Sequence, residues 1–169
     1  MFTGAVAASY YGTPRTTMDV DVVVNIPPEG SQSLLLTPLK AAEIRVDENK
    51  MLTALRAGYR VVTLKDQKTH CTLDLILADK KLEKRSGTIM GLPSFIQTHE
   101  NLVLSQLRMI KSTISKEKSQ KDREDVKAIL SHTRLEGELL RKRAKKENTL
   151  AMLDELMGKE LWASFTGQK

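Results

Sequence analysis

Residues 19 to 25, Asp-Val-Asp-Val-Val-Val-Asn, set two carboxylates two positions apart in a run whose other members are mostly β-branched. Such a run reads as a strand, and positions i and i+2 of a strand project from one face. Asp19 and Asp21 therefore share a side, while Val20 and Val22 point to the other, towards a core. Two carboxylates this close repel each other and do not both ionise comfortably without a cation nearby. A site made of oxygen ligands suits Mg²⁺ or Mn²⁺. A third acid, Asp74, lies within Thr72-Leu73-Asp74-Leu75-Ile76-Leu77, an otherwise apolar strand where a lone carboxylate is costly unless paired or metal-bound. If the two strands are neighbours, Asp74 joins the other two. Three carboxylates on adjacent strands are a scaffold for two-metal phosphoryl transfer. Taken alone, Asp19 and Asp21 also read as an exposed strand face, and Asp74 as a strand-end position.

The segment before the first strand adds a second chemical element. Gly4, followed by Ala5, stands where a strand end opens a short helix, a place where backbone N–H groups are free to cradle phosphate. Gly12 and Pro14 then form a turn leading back to the acidic strand. Arg15, Thr16 and Thr17 are placed as phosphate donors immediately ahead of Asp19.

These residues need a sheet to hold them, and the first half of the chain is rich in strand patterns. The strand at 19 to 25 ends at Pro27, Pro28 and Gly30. Helical stretches follow at 33 to 44, where Pro38 implies a start or a kink, and at about 48 to 57, closed by Gly58. Strands at Tyr59 to Lys65 and His70 to Ala78, joined by Asp66-Gln67-Lys68, predict an antiparallel hairpin. A basic linker, Lys80 to Arg85, and turn residues Gly87, Gly91 and Pro93 separate this half from a helical second half. There Thr98 is the expected N-cap of a helix to about Lys111. Ser119 or Lys121 opens a second helix, and a third runs from about Leu135 to Leu156 with Arg141 to Lys146 as its basic face. The expected class is α+β: an α/β core at 1–92 and a helical region at 93–169 packed on it, as two regions or as one domain.

The sequence has 169 residues, 40% of them hydrophobic and 28% charged, which describes one globular domain with a real core. No apolar run nears the roughly 18 residues that span a bilayer, so no membrane association is expected. The N-terminal stretch has no basic region ahead of its apolar residues and makes a poor signal peptide. One cysteine, Cys71, excludes an internal disulfide, and no Cys/His spacing suits zinc, so a reducing cytoplasm is the default compartment. A net charge of +6 favours a polyanionic partner such as nucleotide phosphates or RNA, although a plain solvated surface has the same charge. The Arg141–Lys146 run is open to the same two readings. Lys121, Asp122, Arg123 and Asp125 read as a solvated, salt-bridged helix face, or as support for the nucleotide site. His70, His99 and His132 lack ligand spacing. Trp162 and Phe165 are suited to docking the terminus or to filling a partner's groove.

The string Gly4-Ala5 through Tyr11-Gly12-Thr13-Pro14-Arg15-Thr16-Thr17-Met18-Asp19-Val20-Asp21 resembles the nucleotidyltransferase superfamily that includes DNA polymerase beta, kanamycin nucleotidyltransferase and the minimal nucleotidyltransferases of prokaryotes. Within it, the chain is most similar to small prokaryotic proteins related to AbiEii-type toxins. Leu92-Pro93-Ser94, His99-Glu100-Asn101-Leu102 and Lys121-Asp122-Arg123-Glu124-Asp125-Val126 extend the resemblance over residues 3 to about 130. It implies a mixed sheet flanked by helices, a Mg²⁺–NTP site such as one for ATP, and transfer of a nucleoside monophosphate to a hydroxyl of RNA (a tRNA end), a protein or a small molecule. It also implies Gly4 in the phosphate loop, Asp19 and Asp21 as metal ligands, and Asp74 as the third carboxylate. Relatives carry a second Gly or a Ser where Ala5 stands, a lysine where Gln106 stands, and a helix and strand before the motif. If that lysine serves the nucleotide, this chain has lost it or uses Lys111 instead. A toxin–antitoxin role through a partner chain, with little turnover, is the other function such relatives imply.

Overall fold

In the computed structural model, residues 1–12, 14–26, 31–56, 61–66, 69–78 and 81–166 are described, with no side-chain description beyond 158. The chain is α+β with a mixed sheet. It divides into two units: Met1–Val6 with Thr16–Ile96, and Ala7–Arg15 with Gln97–Lys169.

The first unit is built on the alternation in β1 (Asp19–Asn25). Its sheet has the order β1-β4-β3-β2, with β2 (Ile44–Arg45), β3 (Val61–Asp66) and β4 (Thr72–Ala78). β1 runs parallel to β4, while β3 is antiparallel to both β4 and β2. The predicted β3–β4 hairpin is therefore present, although Gln67 and Lys68 of its turn lie outside the described residues. So do Tyr59, Gly58 and the strand-ending Pro27, Pro28 and Gly30. One face of the sheet is covered by α2 (Ser31–Ala41) and α3 (Glu48–Arg56). Leu35, Leu36 and Leu39 of α2 and Met51 of α3 pack there on Leu64 and Leu75, with Val22, Val24, Val62, Leu73 and Leu77 around them. Burial of these branched side chains contributes on the order of 1.5–3 kcal/mol each.

Four expectations are corrected in this unit and the next. α2 begins seven residues before Pro38, which leaves only the Leu34 carbonyl without its helical donor and whose own carbonyl still accepts the Ala42 N–H at 3.0 Å. Of the expected basic linker and turn residues, Lys80 lies outside the described residues and Gly91 is in a turn, but Lys84, Arg85, Gly87 and Pro93 are inside the strands of a hairpin, β5 (Lys84–Ile89) and β6 (Leu92–Gln97), with Met90-Gly91 at its tip. Phe2 explains why the hairpin is stable. It bridges Val22 of β1 on one side and Ile96 of β6 on the other, so residues 1–3 join the hairpin to the larger sheet. The Phe2 N–H donates to the Phe95 carbonyl at 2.8 Å, and the Thr3 N–H to the Asp21 carbonyl at 3.0 Å.

The second unit packs the later residues of α1 (Gly4–Tyr11) with α4 (His99–Ser112), α5 (Lys116–His132), α6 (Gly137–Lys146) and α7 (Leu150–Thr166). Leu102, Leu107, Val126, Ile129, Leu130, Leu140, Ala144 and Leu153 are fully buried among them. Gly12 allows a close approach, since a Cβ there would lie 3.0 Å from that of Ala128 on α5. α5 starts at Lys116 rather than Ser119 or Lys121, because Ser115 is its N-cap and accepts from the Lys118 N–H at 3.3 Å. The single long helix expected from 135 to 156 is two helices. Asn148 adopts φ +54, the Thr149 N–H reaches the Ala144 carbonyl at 2.9 Å and the Asn148 N–H reaches that of Lys145 at 3.2 Å. That pair of bonds is a Schellman closure, with Asn in the left-handed position usually held by glycine. α7 itself breaks at Gly158. The side chains of Trp162 and Phe165 lie outside the described set.

Candidate carboxylate site

The parallel register of β1 and β4 places Asp21 directly opposite Asp74, and Asp19 opposite Thr72. Opposed residues share a side of the sheet, so all three carboxylates stand on the face away from α2 and α3. Asp19 is exposed, and Asp21 and Asp74 are half-buried. Two threonines that sequence reasoning missed complete the face. Thr63 of β3 lies opposite Asp74 and donates its hydroxyl to Asp74 Oδ1 at 2.6 Å. Thr72 donates its hydroxyl to Asp19 Oδ1. Thr72 was open to discovery, since it stands two residues before Asp74 as Asp19 stands two before Asp21. Thr63 follows only from the β3–β4 register.

Gly4 fits this face by its lack of a side chain. Its φ is +56, and a Cβ built on it would lie 1.9 Å from Asp21 Oδ2 and 2.8 Å from its Cγ. With Thr3 bonded to the Asp21 carbonyl, the chain turns at Gly4 into α1 directly against the Asp21 carboxylate. Unpaired N–H groups and the positive end of the helix dipole make that a favourable place for negative charge. The helix start assigned to phosphate is thus already against a protein carboxylate. Ala5, in the same turn, has its side chain buried.

The other proposed phosphate donors are placed as follows. Thr17 is folded onto β1: its hydroxyl donates to the Asp19 carbonyl at 3.0 Å and accepts the Asp19 N–H at 3.2 Å. Thr16 is exposed. Arg15 belongs to the helical unit, where Nε and Nη2 form a bidentate pair with Asp125 of α5, each nitrogen at 2.9 Å from one carboxylate oxygen. Those two nitrogens hold a carboxylate, not a phosphate.

That pair also corrects the expected solvated face on α5. Asp125 is 7% exposed, and Gln106 Nε2 approaches its Oδ2 at 3.4 Å. Gln106 Oε1 and Asp122 Oδ2 are buried with no hydrogen-bond partner among the described residues. Burial pushes the Asp122 carboxyl up from its ordinary value and Asp125 adds to this, while Lys118 and Arg15 pull it down. Lys111, the alternative to a lost nucleotide-binding lysine, bonds the Asn148 carbonyl at 3.3 Å. The basic stretch on α6 is not one free face: Arg141 pairs with Asp154 at 3.1 Å, Arg143 bonds Asn101, and Ala144 is buried.

A hard divalent cation matches the all-oxygen donor set of Asp19, Asp21 and Asp74 on a single face. In the arrangement described, two of these carboxylates take threonine hydroxyls, and no three acidic, histidine or cysteine side chains among the described residues already stand in metal-binding array. No helix among the described residues is long and apolar enough to cross a membrane. No protein-family model matches the chain, and no curated protein matches it.

Proposed function

We propose that the chain is a metal-dependent nucleotidyltransferase that moves a nucleoside monophosphate from an NTP to an acceptor hydroxyl. The observation that carries this reading is the register: Asp21 opposite Asp74 with Asp19 on the same face, backed by an apolar core on the other. The sequence resemblance over residues 3 to about 130 supports it, as does the net charge of +6.

Asp19 and Asp21 are the residues to hold Mg²⁺ or Mn²⁺, with Asp74 beside them. The cation, when bound, neutralises triphosphate charge and favours the ionised acceptor hydroxyl. Asp74 accepts the proton of the acceptor hydroxyl. The acceptor oxygen then bonds the α-phosphorus, the bond from that phosphorus to the bridging oxygen breaks, and pyrophosphate leaves with the electron pair. Thr63 and Thr72 orient Asp74 and Asp19 by their hydroxyl bonds, and Gly4 leaves Asp21 room to stay where the register puts it. Rate acceleration on such a face comes from positioning and charge stabilisation.

The test is label transfer from each α-³²P-labelled NTP to bulk RNA, protein extract or small hydroxyl compounds. Transfer that requires Mg²⁺ and disappears in Asp21→Asn supports the reading. Unchanged transfer by Asp21→Asn refutes it.

A further inference from the structure

We infer that the β5–β6 hairpin is a binding platform for single-stranded RNA, continuous with the carboxylate face. Phe2 lies opposite both Val22 and Ile96, so these three side chains share one side of the sheet, the side on which Val22 packs against the core. Phe95, one position before Ile96, therefore projects to the side that carries Asp19, Asp21 and Asp74. It stands two strand spacings from β1, about 10 Å away.

The chemistry on that side suits a nucleic acid strand. Phe95 remains 48% exposed although buried residues follow it in β6, and the Lys84 ammonium lies 3.7 Å from the centre of its ring. That contact puts Lys84 on the same side as Phe95. Alternation along β5 adds the exposed hydroxyls of Ser86 and Thr88 to that side. Lys81, also exposed, adds positive charge at the same end of the hairpin. An exposed ring offers a stacking surface to any base, lysines contact phosphates, and paired hydroxyls suit the ribose 2′-OH. That such an RNA would be the acceptor rests on the proposed transferase reading; the platform itself does not.

The test is fluorescence anisotropy of labelled RNA oligomers of about 12 nucleotides, a length within usual single-strand site sizes, with the full chain and without NTP. Phe95→Ala is expected to weaken binding about 5- to 150-fold, the worth of one base–aromatic stack. Phe95→Trp is expected to retain it, and circular dichroism checks the fold of both. Lys84→Ala is expected to lower the salt-dependence slope by about 0.7, one phosphate contact on a single strand. The assay contains neither NTP nor divalent metal, so a failed transferase reading leaves this result standing. Parent-like binding by Phe95→Ala, absence of RNA binding by the parent, or equal binding of a DNA oligomer would each overturn the inference.

Discussion

Adding one methyl group at Gly4 perturbs the candidate site without changing any of its charges. The new Cβ would lie 1.9 Å from Asp21 Oδ2, so restoring ordinary contact needs a displacement of roughly 1.5 Å in the carboxylate or in α1. The backbone is also left-handed at φ +56, which costs an alanine about 1–2 kcal/mol. Gly4→Ala should therefore lower the free energy of unfolding by about 2–4 kcal/mol when clash and backbone strain combine. A misplacement of that size should also slow transfer by about 100-fold. Urea denaturation of a double-mutant cycle separates the two effects. In an Asp21→Ala background the carboxylate is gone and the nearest remaining atom, Asp21 Cβ, is 3.2 Å away. Only the backbone cost should remain, about 1–2 kcal/mol, leaving a coupling of about 1–2 kcal/mol between the positions. Equal costs of Gly4→Ala in both backgrounds would refute the argument that Gly4 exists to admit Asp21.

Asp125→Ala strips a buried carboxylate from two nitrogens of Arg15 and one of Gln106; because Arg15 is one-third exposed, we expect a loss of about 2 kcal/mol in urea denaturation. Glu117→Ala, breaking an exposed i,i+4 pair with Lys121, should change the same measurement by less than about 0.5 kcal/mol. Asp122 is held above its ordinary pKa of 3.8 by burial, so its ionised form costs folding stability at neutral pH, and that cost is absent once pH falls below the ordinary value. Asp122→Asn should accordingly raise the melting temperature at neutral pH, with the gain fading towards about pH 4 and below; a gain independent of pH would refute the sign.

What could be read from the sequence is the part governed by local alternation. Asp-Val-Asp-Val-Val-Val-Asn and Thr-Leu-Asp-Leu-Ile-Leu-Ala state both which residues form strands and which face carries the acids, and the short polar connection before β4 states that β3 is its antiparallel neighbour. The adjacency of β1 and β4 is not local, and it was available only as a condition on the chemistry. The β5–β6 hairpin was misread because Gly87 and Pro93 usually interrupt strands, and because the residue that ties the hairpin to the sheet, Phe2, is more than 80 positions away. Asp125 was misread for a related reason. Its neighbours Arg123 and Glu124 point outwards, and only the fold brings Arg15 to it from 110 residues away. The helix break at 147–149 did have a signal, since Asn148 is a residue that tolerates the left-handed conformation, but no glycine or proline marked it.

The proposed Mg²⁺-dependent nucleotide site of Asp19, Asp21 and Asp74 is tested, without knowledge of the acceptor, by calorimetric titration of each NTP with Mg²⁺. We expect Mg²⁺-dependent binding of at least one NTP by the parent chain and none by Asp19→Ala/Asp21→Ala with its circular dichroism unchanged. Equal binding by the two proteins, or none by a folded parent, would contradict it.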